Sequence, residues 1–362
     1  MRHLSTDLAQ LGNREDGRTG SISLPIHLST TYAHPGLGSS TGFDYTRTKN
    51  PTREVLEQGL AKLEGGCQAI ATSSGMSAIQ LVFQLFAPGS TFLVSRDLYG
   101  GTYRYFVELE KLGLANFLYY TDIEDLRKQL TEAVTAVFVE TPTNPLMEET
   151  DIKTVAEWSK AVDALLIVDN TLLTPLRQRP LDDGAQLVIH SGTKYLTGHN
   201  DILAGVVVTN DPELGERLVW LANTTGPTLS PFDSWLFVRS LKTLPLRVDR
   251  QEATAFEVVK ALRENPAVKD VLFAEKGSML SIRLQSESLV GPFLEALKIF
   301  TYAESLGGVE SLITYPTTQT HADIPKELRE SYGLTPDLLR ISIGLEAPED
   351  LIADLDQALK AR

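Results

Sequence analysis

The chain has 362 residues, of which 42% are hydrophobic and 22% charged, and its formal net charge is −14. This length exceeds one small core, so we expect a folded protein of two domains rather than a disordered one. The acidic balance repels phosphate backbones and anionic lipids, which argues against nucleic acid and membranes as partners. Without a signal-peptide core or a membrane-length apolar run, we expect a cytoplasmic protein.

The first 50 residues are rich in Gly, Ser, Thr and Pro and show little periodicity, which predicts an extended N-terminal arm over residues 1–50. A helix is predicted to begin near Pro51 and to end at Gly65, because its apolar residues recur at helical spacing. The lone cysteine, Cys67, excludes an intramolecular disulfide, and we expect it to be a small buried residue. The six histidines have no metal-ligand spacing, so we expect no metal.

Short apolar runs then alternate with amphipathic stretches. The predicted strands are AIATSS, TFLVS, TAVFVE, ALLIVDN, QLVIH and LAGVVVT, with helices from Met76, from about Tyr103 and from Ile152 between them. Hydrophobicity within these runs is continuous rather than alternating, which is typical of strands covered on both faces. We therefore predict an α/β domain with a mainly parallel sheet over residues 51–230.

The alternation of apolar runs and amphipathic stretches stops near Gly226, Pro227 and Pro231. A long helical stretch is predicted from Leu236 to about Glu264. Further strands are predicted in VKDVLFAE, SMLSIRLQ and LLRISIGLE, and further helices near residues 290–299 and at PEDLIADLDQAL. This order predicts a smaller α+β domain over residues 231–362.

Polar side chains collect where the predicted strands end, which is the edge where open parallel sheets bind ligands. The segment Ser74-Gly75-Met76 leads into a helix whose first N–H groups could hold an anion. The other residues at these ends are Tyr99, Asn144, Asp169, Ser191, Thr193 and Lys194. An unpaired lysine is costly to bury, so Lys194 is either a solvated loop residue or an amine used inside a site. As a set, these groups suit pyridoxal 5'-phosphate, which needs a Schiff-base lysine, a carboxylate for its ring nitrogen and donors for its phosphate.

Several longer motifs carry a family resemblance. FDYTRTKNPTR, FVETPTNP, IVDNT, HSGTKYLTGHND, AESLGGVESLITYP and LLRISIGLE resemble, in order and over nearly the whole chain, those of the fold-type I pyridoxal-phosphate enzymes of cysteine and methionine metabolism. The fuller matches are most similar to bacterial cystathionine γ-synthases that also act as O-acetylhomoserine thiol-lyases. The α/β domain is then the cofactor-binding domain.

The resemblance implies roles for individual residues. Lys194 would be the Schiff-base lysine, Asp169 the partner of the ring nitrogen and Tyr99 the aromatic residue stacked on the ring, and these three would be catalytic. Asn144 would lie near the cofactor's phenolic oxygen and the substrate. The residues that would hold the phosphate are Gly75, Met76, Ser191 and Thr193.

The same resemblance implies a shared site and a reaction class. Tyr45 and Arg47 would reach the phosphate of a neighbouring subunit, which implies at least a dimer, and the resembling family implies a homotetramer. Ser305 and Arg340 would bind the substrate carboxylate, and Glu304 is the residue type that γ-synthases and γ-lyases of the family tend to carry. We therefore predict γ-replacement on an O-acylhomoserine, with cysteine or sulfide as the nucleophile. The alternatives are a cystathionine γ-lyase or β-lyase, or a non-catalytic α/β protein that binds a phosphate ligand.

Overall fold

The computed structural model describes residues 3–361. The helices are α1 (Leu4–Ala9), α2 (Pro51–Glu64), α3 (Gly75–Phe83), α4 (Gly100–Lys111), α5 (Ile123–Gln129), α6 (Ile152–Ala161), α7 (Thr174–Arg177), α8 (Pro212–Thr225), α9 (Pro231–Leu241), α10 (Leu244–Glu264), α11 (Val290–Ala296), α12 (Lys326–Ser331) and α13 (Pro348–Ala358). The strands are β1 (Gln68–Thr72), β2 (Ser90–Ser95), β3 (Ala115–Tyr120), β4 (Ala136–Glu140), β5 (Leu165–Asp169), β6 (Leu187–Ser191), β7 (Gly205–Thr209), β8 (Val268–Leu272), β9 (Met279–Leu284), β10 (Thr301–Tyr302), β11 (Leu312–Thr314) and β12 (Leu338–Ser342). A 3-10 turn covers Glu287–Leu289.

The described chain divides into two compact units, each made of two separate segments. The first unit comprises residues 3–87 and 174–245, and the second comprises residues 88–173 and 246–361. These units follow spatial contacts rather than the order of the chain. The predicted division into an arm and two domains at residues 50 and 230 stays a prediction.

In the first unit, strand β7 pairs with β1 on one side and with β6 on the other. Both pairings are antiparallel, with Ala71 opposite Val206 and Ile189 opposite Val207. All five residues of β7 are buried, as the continuous apolar pattern predicts. The direction of β7 departs from the expected parallel arrangement. Residues 192–204, which connect β6 to β7, contain no helix, whereas the connection between parallel strands usually contains one.

In the second unit, β5, β4, β2 and β3 pair in that order and are all parallel. This confirms the parallel sheet predicted from the apolar runs. Strand β3 and helix α5 are missing from the sequence prediction. Strand β3 was not predicted because its sequence lacks continuous hydrophobicity: Asn116 and Leu118 are exposed between buried residues.

The second unit also contains the sheet β10-β11-β12-β9-β8, which is antiparallel except for the β10–β11 pair. Its core joins apolar residues of helices α10, α11 and α13 to those of β9 and β12. The predicted α+β elements of this region are confirmed, with one correction. The long helical stretch is two helices, since Ser230 caps α9 at its start and a separate helix, α10, begins at Leu244.

Two other expectations need correction. Residues 4–9 form a helix rather than extended chain, and Asp7 pairs with Lys62 of α2 at 2.8 Å. Cys67 is exposed rather than buried, because it follows the glycine pair that ends α2. The end of α2 itself is as predicted, with Gly65 in the left-handed conformation at φ 78°. Among residues 3–361, no helix combines the length and apolarity needed to cross a membrane.

Candidate active site

The start of helix α3 in the first unit lies close to the end of β6. The Ser74 hydroxyl accepts the N–H of Ser77 at 3.0 Å, so the N–H groups of Gly75 and Met76 remain as the first donors of the helix. A Cβ added to Gly75 would lie 2.9 Å from the Cβ of Ser191, which is too close for an ordinary contact. The missing side chain therefore lets this helix end approach the end of β6.

A tight turn follows β6 and carries the predicted lysine. The N–H of Lys194 donates to the carbonyl of Ser191 at 3.2 Å, and the N–H of Gly198 donates to the carbonyl of Lys194 at 2.8 Å. The Thr193 hydroxyl accepts the N–H of Ala204 at 3.0 Å, which ties the turn to the segment before β7. Lys194 is half-buried. The first unit thus brings Ser191, Thr193 and Lys194 into one turn and places Ser191 beside Gly75.

In the second unit, two carboxyl groups occupy the ends of neighbouring strands. Asp169 ends β5, and its Oδ1 accepts the N–H and the hydroxyl of Thr171 at 3.0 and 2.5 Å. Glu140 ends β4 and lies in register with Asp169. Glu140 is 6% exposed, and burial together with the neighbouring Asp169 carboxylate raises the pKa of Glu140 well above its usual value.

Tyr99 lies at the start of α4 and is 38% exposed. Its backbone N–H donates to Glu140 Oε2 at 3.0 Å. A partly exposed aromatic ring held by its backbone provides an accessible face on a fixed support, as stacking on a planar ligand requires.

A buried arginine connects three of the predicted substrate-binding positions. Arg340 is 2% exposed, and its Nη1 donates to Asn144 Oδ1 at 3.0 Å. Its Nη2 donates to the carbonyl of Ser305 at 2.9 Å and to the hydroxyl of Thr314 at 3.0 Å. The planar donors and the positive charge of this guanidinium suit a substrate carboxylate.

The remaining predicted residues lie at more exposed positions. Glu304 is exposed and directly precedes Ser305, whose φ of 96° is in the left-handed region. In the first unit the Arg47 guanidinium lies 5.2 Å from the centre of the Tyr45 ring, and Tyr45 is 44% exposed. The described contacts of Tyr45 and Arg47 are with each other and with nearby residues of the first unit.

Comparison with known proteins identifies the family. Residues 5–360 match the family model described as "Cys/Met metabolism PLP-dependent enzyme". The chain belongs to this family.

Close relatives cover almost the whole chain. A Bacillus subtilis (strain 168) protein named "Cystathionine gamma-synthase/O-acetylhomoserine (thiol)-lyase" is 55% identical over 99% of this chain and 96% of its own length. The Haemophilus influenzae "Cystathionine gamma-synthase" is 51% identical over 98% and 97%. The crystal structure of cystathionine gamma synthase from Xanthomonas oryzae pv. oryzae, in complex with aminoacrylate and cysteine, is 41% identical and has a TM-score of 0.97. The match covers 99% of this chain and 98% of that one. Relatives named cystathionine beta-lyase and gamma-lyase also match, at 42% and 44% identity.

As a member of this family, the protein is a pyridoxal-phosphate-dependent enzyme with the fold-type I architecture expected from the sequence. The residues present fit the cofactor. In the first unit, the N–H donors at the start of α3, close to Ser191, suit a phosphate, and Lys194 supplies a primary amine beside hydroxyl groups. In the second unit, Asp169 supplies a carboxylate suited to a pyridinium nitrogen. The role of each residue stays a prediction.

Sequence reasoning missed a buried polar group behind the predicted residues of the second unit. Besides Glu140, it contains Asp97, whose Oδ2 accepts the N–H of Leu146 at 3.1 Å and whose pKa burial raises to about 7. It also contains His321, whose Nε2 lies 3.0 Å from the carbonyl of Asn144. Burial and the charge of Arg340 lower the pKa of His321 to about 3, so this imidazole is neutral. Glu140 could have been found, because it is the last residue of a predicted strand.

Proposed function

We propose that this enzyme catalyses γ-replacement on an O-acylated homoserine, with cysteine or sulfide as the nucleophile. The products are cystathionine or homocysteine together with the released carboxylic acid, as needed for methionine synthesis. The observation that carries this choice is the position of Glu304, an exposed carboxylate directly before Ser305, whose carbonyl accepts from Arg340. Relatives named for this activity support the proposal, at 51% and 55% identity over almost the full chain.

The proposed cofactor contacts divide between phosphate and ring. Gly75 and Met76 donate backbone N–H groups to the phosphate, and Ser191 and Thr193 donate hydroxyls. Asp169 would keep a proton on the ring nitrogen, Tyr99 would cover the ring face, and Asn144 would hold the side of the ring that carries the phenolic oxygen. When bound, pyridoxal phosphate withdraws electrons from the carbons next to the substrate amino group.

Lys194 is the proposed proton carrier of the reaction. Its amine takes a proton from Cα and delivers it to the cofactor side of the substrate. It then takes a proton from Cβ, so that the acyl group can leave Cγ as a carboxylate. The incoming thiol would add at Cγ and release its own proton, and Lys194 would return protons to Cβ and then to Cα. A single amine on a short turn suits these steps, because a flexible side chain reaches several carbons in succession.

Arg340 is the proposed anchor for the substrate carboxylate. Its guanidinium is buried and oriented by Asn144, Ser305 and Thr314. Because this framework sets the direction of the planar donors, the substrate amino group would be presented in one orientation.

Glu304 is the proposed binding partner for the amino group of an incoming cysteine. We expect Glu304→Gln to raise KM for cysteine about twofold to fivefold while changing kcat little, since an exposed ion pair contributes less than about 1 kcal/mol. The matched control is Glu295→Gln, an exposed glutamate on α11. Equal KM values in both variants would remove Glu304 from the substrate site.

A side-by-side product assay tests the reaction itself. The purified enzyme should join O-acetylhomoserine to cysteine faster than it cleaves cystathionine. A lyase is the second candidate, because relatives with lyase names match at 42% and 44% identity. Homocysteine and pyruvate as main products would favour the β-lyase, whereas cysteine and 2-oxobutyrate would favour the γ-lyase.

We further propose a cytoplasmic homotetramer in which Tyr45 and Arg47 complete the phosphate site of a neighbouring subunit. Their exposure in a single chain supports this arrangement. Mixing inactive Lys194→Ala subunits with Arg47→Ala subunits should restore activity, because hybrid oligomers would contain some sites with neither substitution. Mixtures no more active than their components, or an active monomer in sedimentation, would contradict shared sites.

A further inference from the structure

Three carboxyl-bearing residues follow the ends of adjacent strands in the second unit. Asp169 ends β5, Glu140 ends β4, and Asp97 follows β2 by two residues. Glu140 and Asp97 are 6% and 3% exposed. Such a row of acids at one sheet edge is unfavourable when all are charged. The presence of Glu140, which lies between the other two, therefore needs an explanation.

Glu140 is linked to two residues proposed to bind the cofactor, by a hydrogen bond to Tyr99 and by strand register with Asp169. Its Oε2 accepts the backbone N–H of Tyr99 at 3.0 Å. It is also the register partner of Asp169, and partners on neighbouring strands carry their side chains on the same face at a strand spacing of about 4.8 Å. The Glu140 side chain therefore binds the backbone of Tyr99, the proposed stacking residue, and lies on the strand next to Asp169, the proposed partner of the ring nitrogen.

We propose that Glu140 is a positioning residue of the cofactor site, which holds the backbone of Tyr99 and leaves the negative charge on Asp169. This inference rests on the cofactor roles proposed above for Tyr99 and Asp169.

The electrostatics of the group support an uncharged Glu140. The charged and titratable groups that act on it are Asp169 and Asp97, which oppose a second negative charge, and Arg340, which favours one. Burial and Asp169 outweigh Arg340, so the pKa of Glu140 is raised. Asp169 instead has two donors from Thr171, which stabilise its ionised form. The surroundings thus disfavour a negative charge on Glu140, whereas two donors support the ionised form of Asp169.

Two substitutions separate the acceptor from the charge. Glu140→Gln keeps an oxygen for the Tyr99 N–H and carries no charge, whereas Glu140→Leu has similar volume and no acceptor. The release of pyridoxal phosphate from the holoenzyme can be measured as the loss of its protein-bound absorbance. This release should be faster by on the order of tenfold in the leucine variant. In the glutamine variant it should stay within about threefold of wild type.

The control site is Asp354, a buried carboxylate that accepts three backbone N–H groups near the five-stranded sheet. Asp354→Leu should lower Tm without changing cofactor release. Unchanged release in Glu140→Leu would overturn the proposal, and so would a glutamine variant as impaired as the leucine variant.

A pH titration of the bound cofactor's absorbance gives a second readout, which needs only the glutamine variant. Wild type should show a spectral change where Glu140 ionises, and Glu140→Gln should lack it. Identical profiles would overturn the proposal even if the leucine variant does not fold. Neither measurement uses a substrate, so an enzyme that proves to be a lyase would leave this inference standing.

Discussion

The predicted site residues of the two units are held in place by different physical means. In the first unit, the turn at Lys194 and the start of α3 are fixed by backbone hydrogen bonds and by the absence of a side chain at Gly75. In the second unit, Asp169, Glu140 and Arg340 form an electrostatic group in which burial and the Asp169 carboxylate raise the pKa of Glu140. The first region should therefore be sensitive to shape, and the second to charge and pH.

The largest expected effect is at Lys194. Lys194→Ala should lower turnover by on the order of 10⁴-fold, because both the covalent attachment of the cofactor and the proton transfers are lost. The variant should remain folded, since its turn is held by backbone bonds rather than by the side chain. Steady-state kinetics and circular dichroism measure the two properties. Lys153→Ala, at an exposed position on α6, is the control and should keep full activity.

Asp169→Asn should have the next largest effect, a fall in kcat on the order of 10²-fold, because the amide cannot supply the negative charge that holds a proton on the ring nitrogen. Its stability should change little, since an amide oxygen still accepts from Thr171. Asp151→Asn is the matched control, as Asp151 also accepts N–H groups, at the start of α6. Equal kcat values for both variants would remove Asp169 from the mechanism.

Gly75→Ala tests the steric basis of the first region. The added methyl group would lie 2.9 Å from the Ser191 Cβ, so we expect a loss of about 1–3 kcal/mol in the free energy of unfolding and weaker cofactor binding. Gly291→Ala places the same methyl group early in another helix, α11, with no heavy atom within 4 Å. That control should be neutral or stabilising by up to about 1 kcal/mol. Denaturant titration compares them, and equal effects would contradict the close approach.

Asp97→Asn should change the free energy of unfolding in a way that depends on pH. The folded-state pKa of Asp97 is raised to about 7 from 3.8, so its contribution to stability is present at low pH and is lost as pH rises between these values. Asparagine keeps an acceptor for Leu146 without this loss. The variant should gain stability relative to wild type across that window, by at most about 4 kcal/mol.

Asp354→Asn is the opposite case. Although burial works against it, the backbone N–H groups of residues 298–300 lower the pKa of Asp354, so its contribution is lost as pH falls. The free energy of unfolding of the Asp354→Asn variant, relative to that of the wild type, should therefore rise as the pH falls. Unfolding curves at several pH values check both signs, and parallel trends in the two variants would refute this account.

The sequence by itself determined the features that depend on local pattern or on long motifs. Cofactor and family follow from motifs such as HSGTKYLTGHND, because a Schiff-base lysine, a carboxylate and phosphate donors must occur in a set order. Helix α2 was predictable at both ends, since Asn50 caps its start and Gly65 adopts the left-handed conformation at its end. The parallel strands β2, β4 and β5 of the second unit follow from their continuous hydrophobicity.

Only the tertiary structure decided what depends on contacts between distant segments. The apolar pattern of β7 is the same in either direction, so its antiparallel pairing was not visible in the sequence. The partners of Arg340 come from segments 26 to 196 residues away. The charge states of Glu140 and Asp97 depend on burial and on neighbouring acids, which no single stretch of sequence records. Spacing along a chain sets local geometry, whereas solvation and electrostatics are properties of the packed fold.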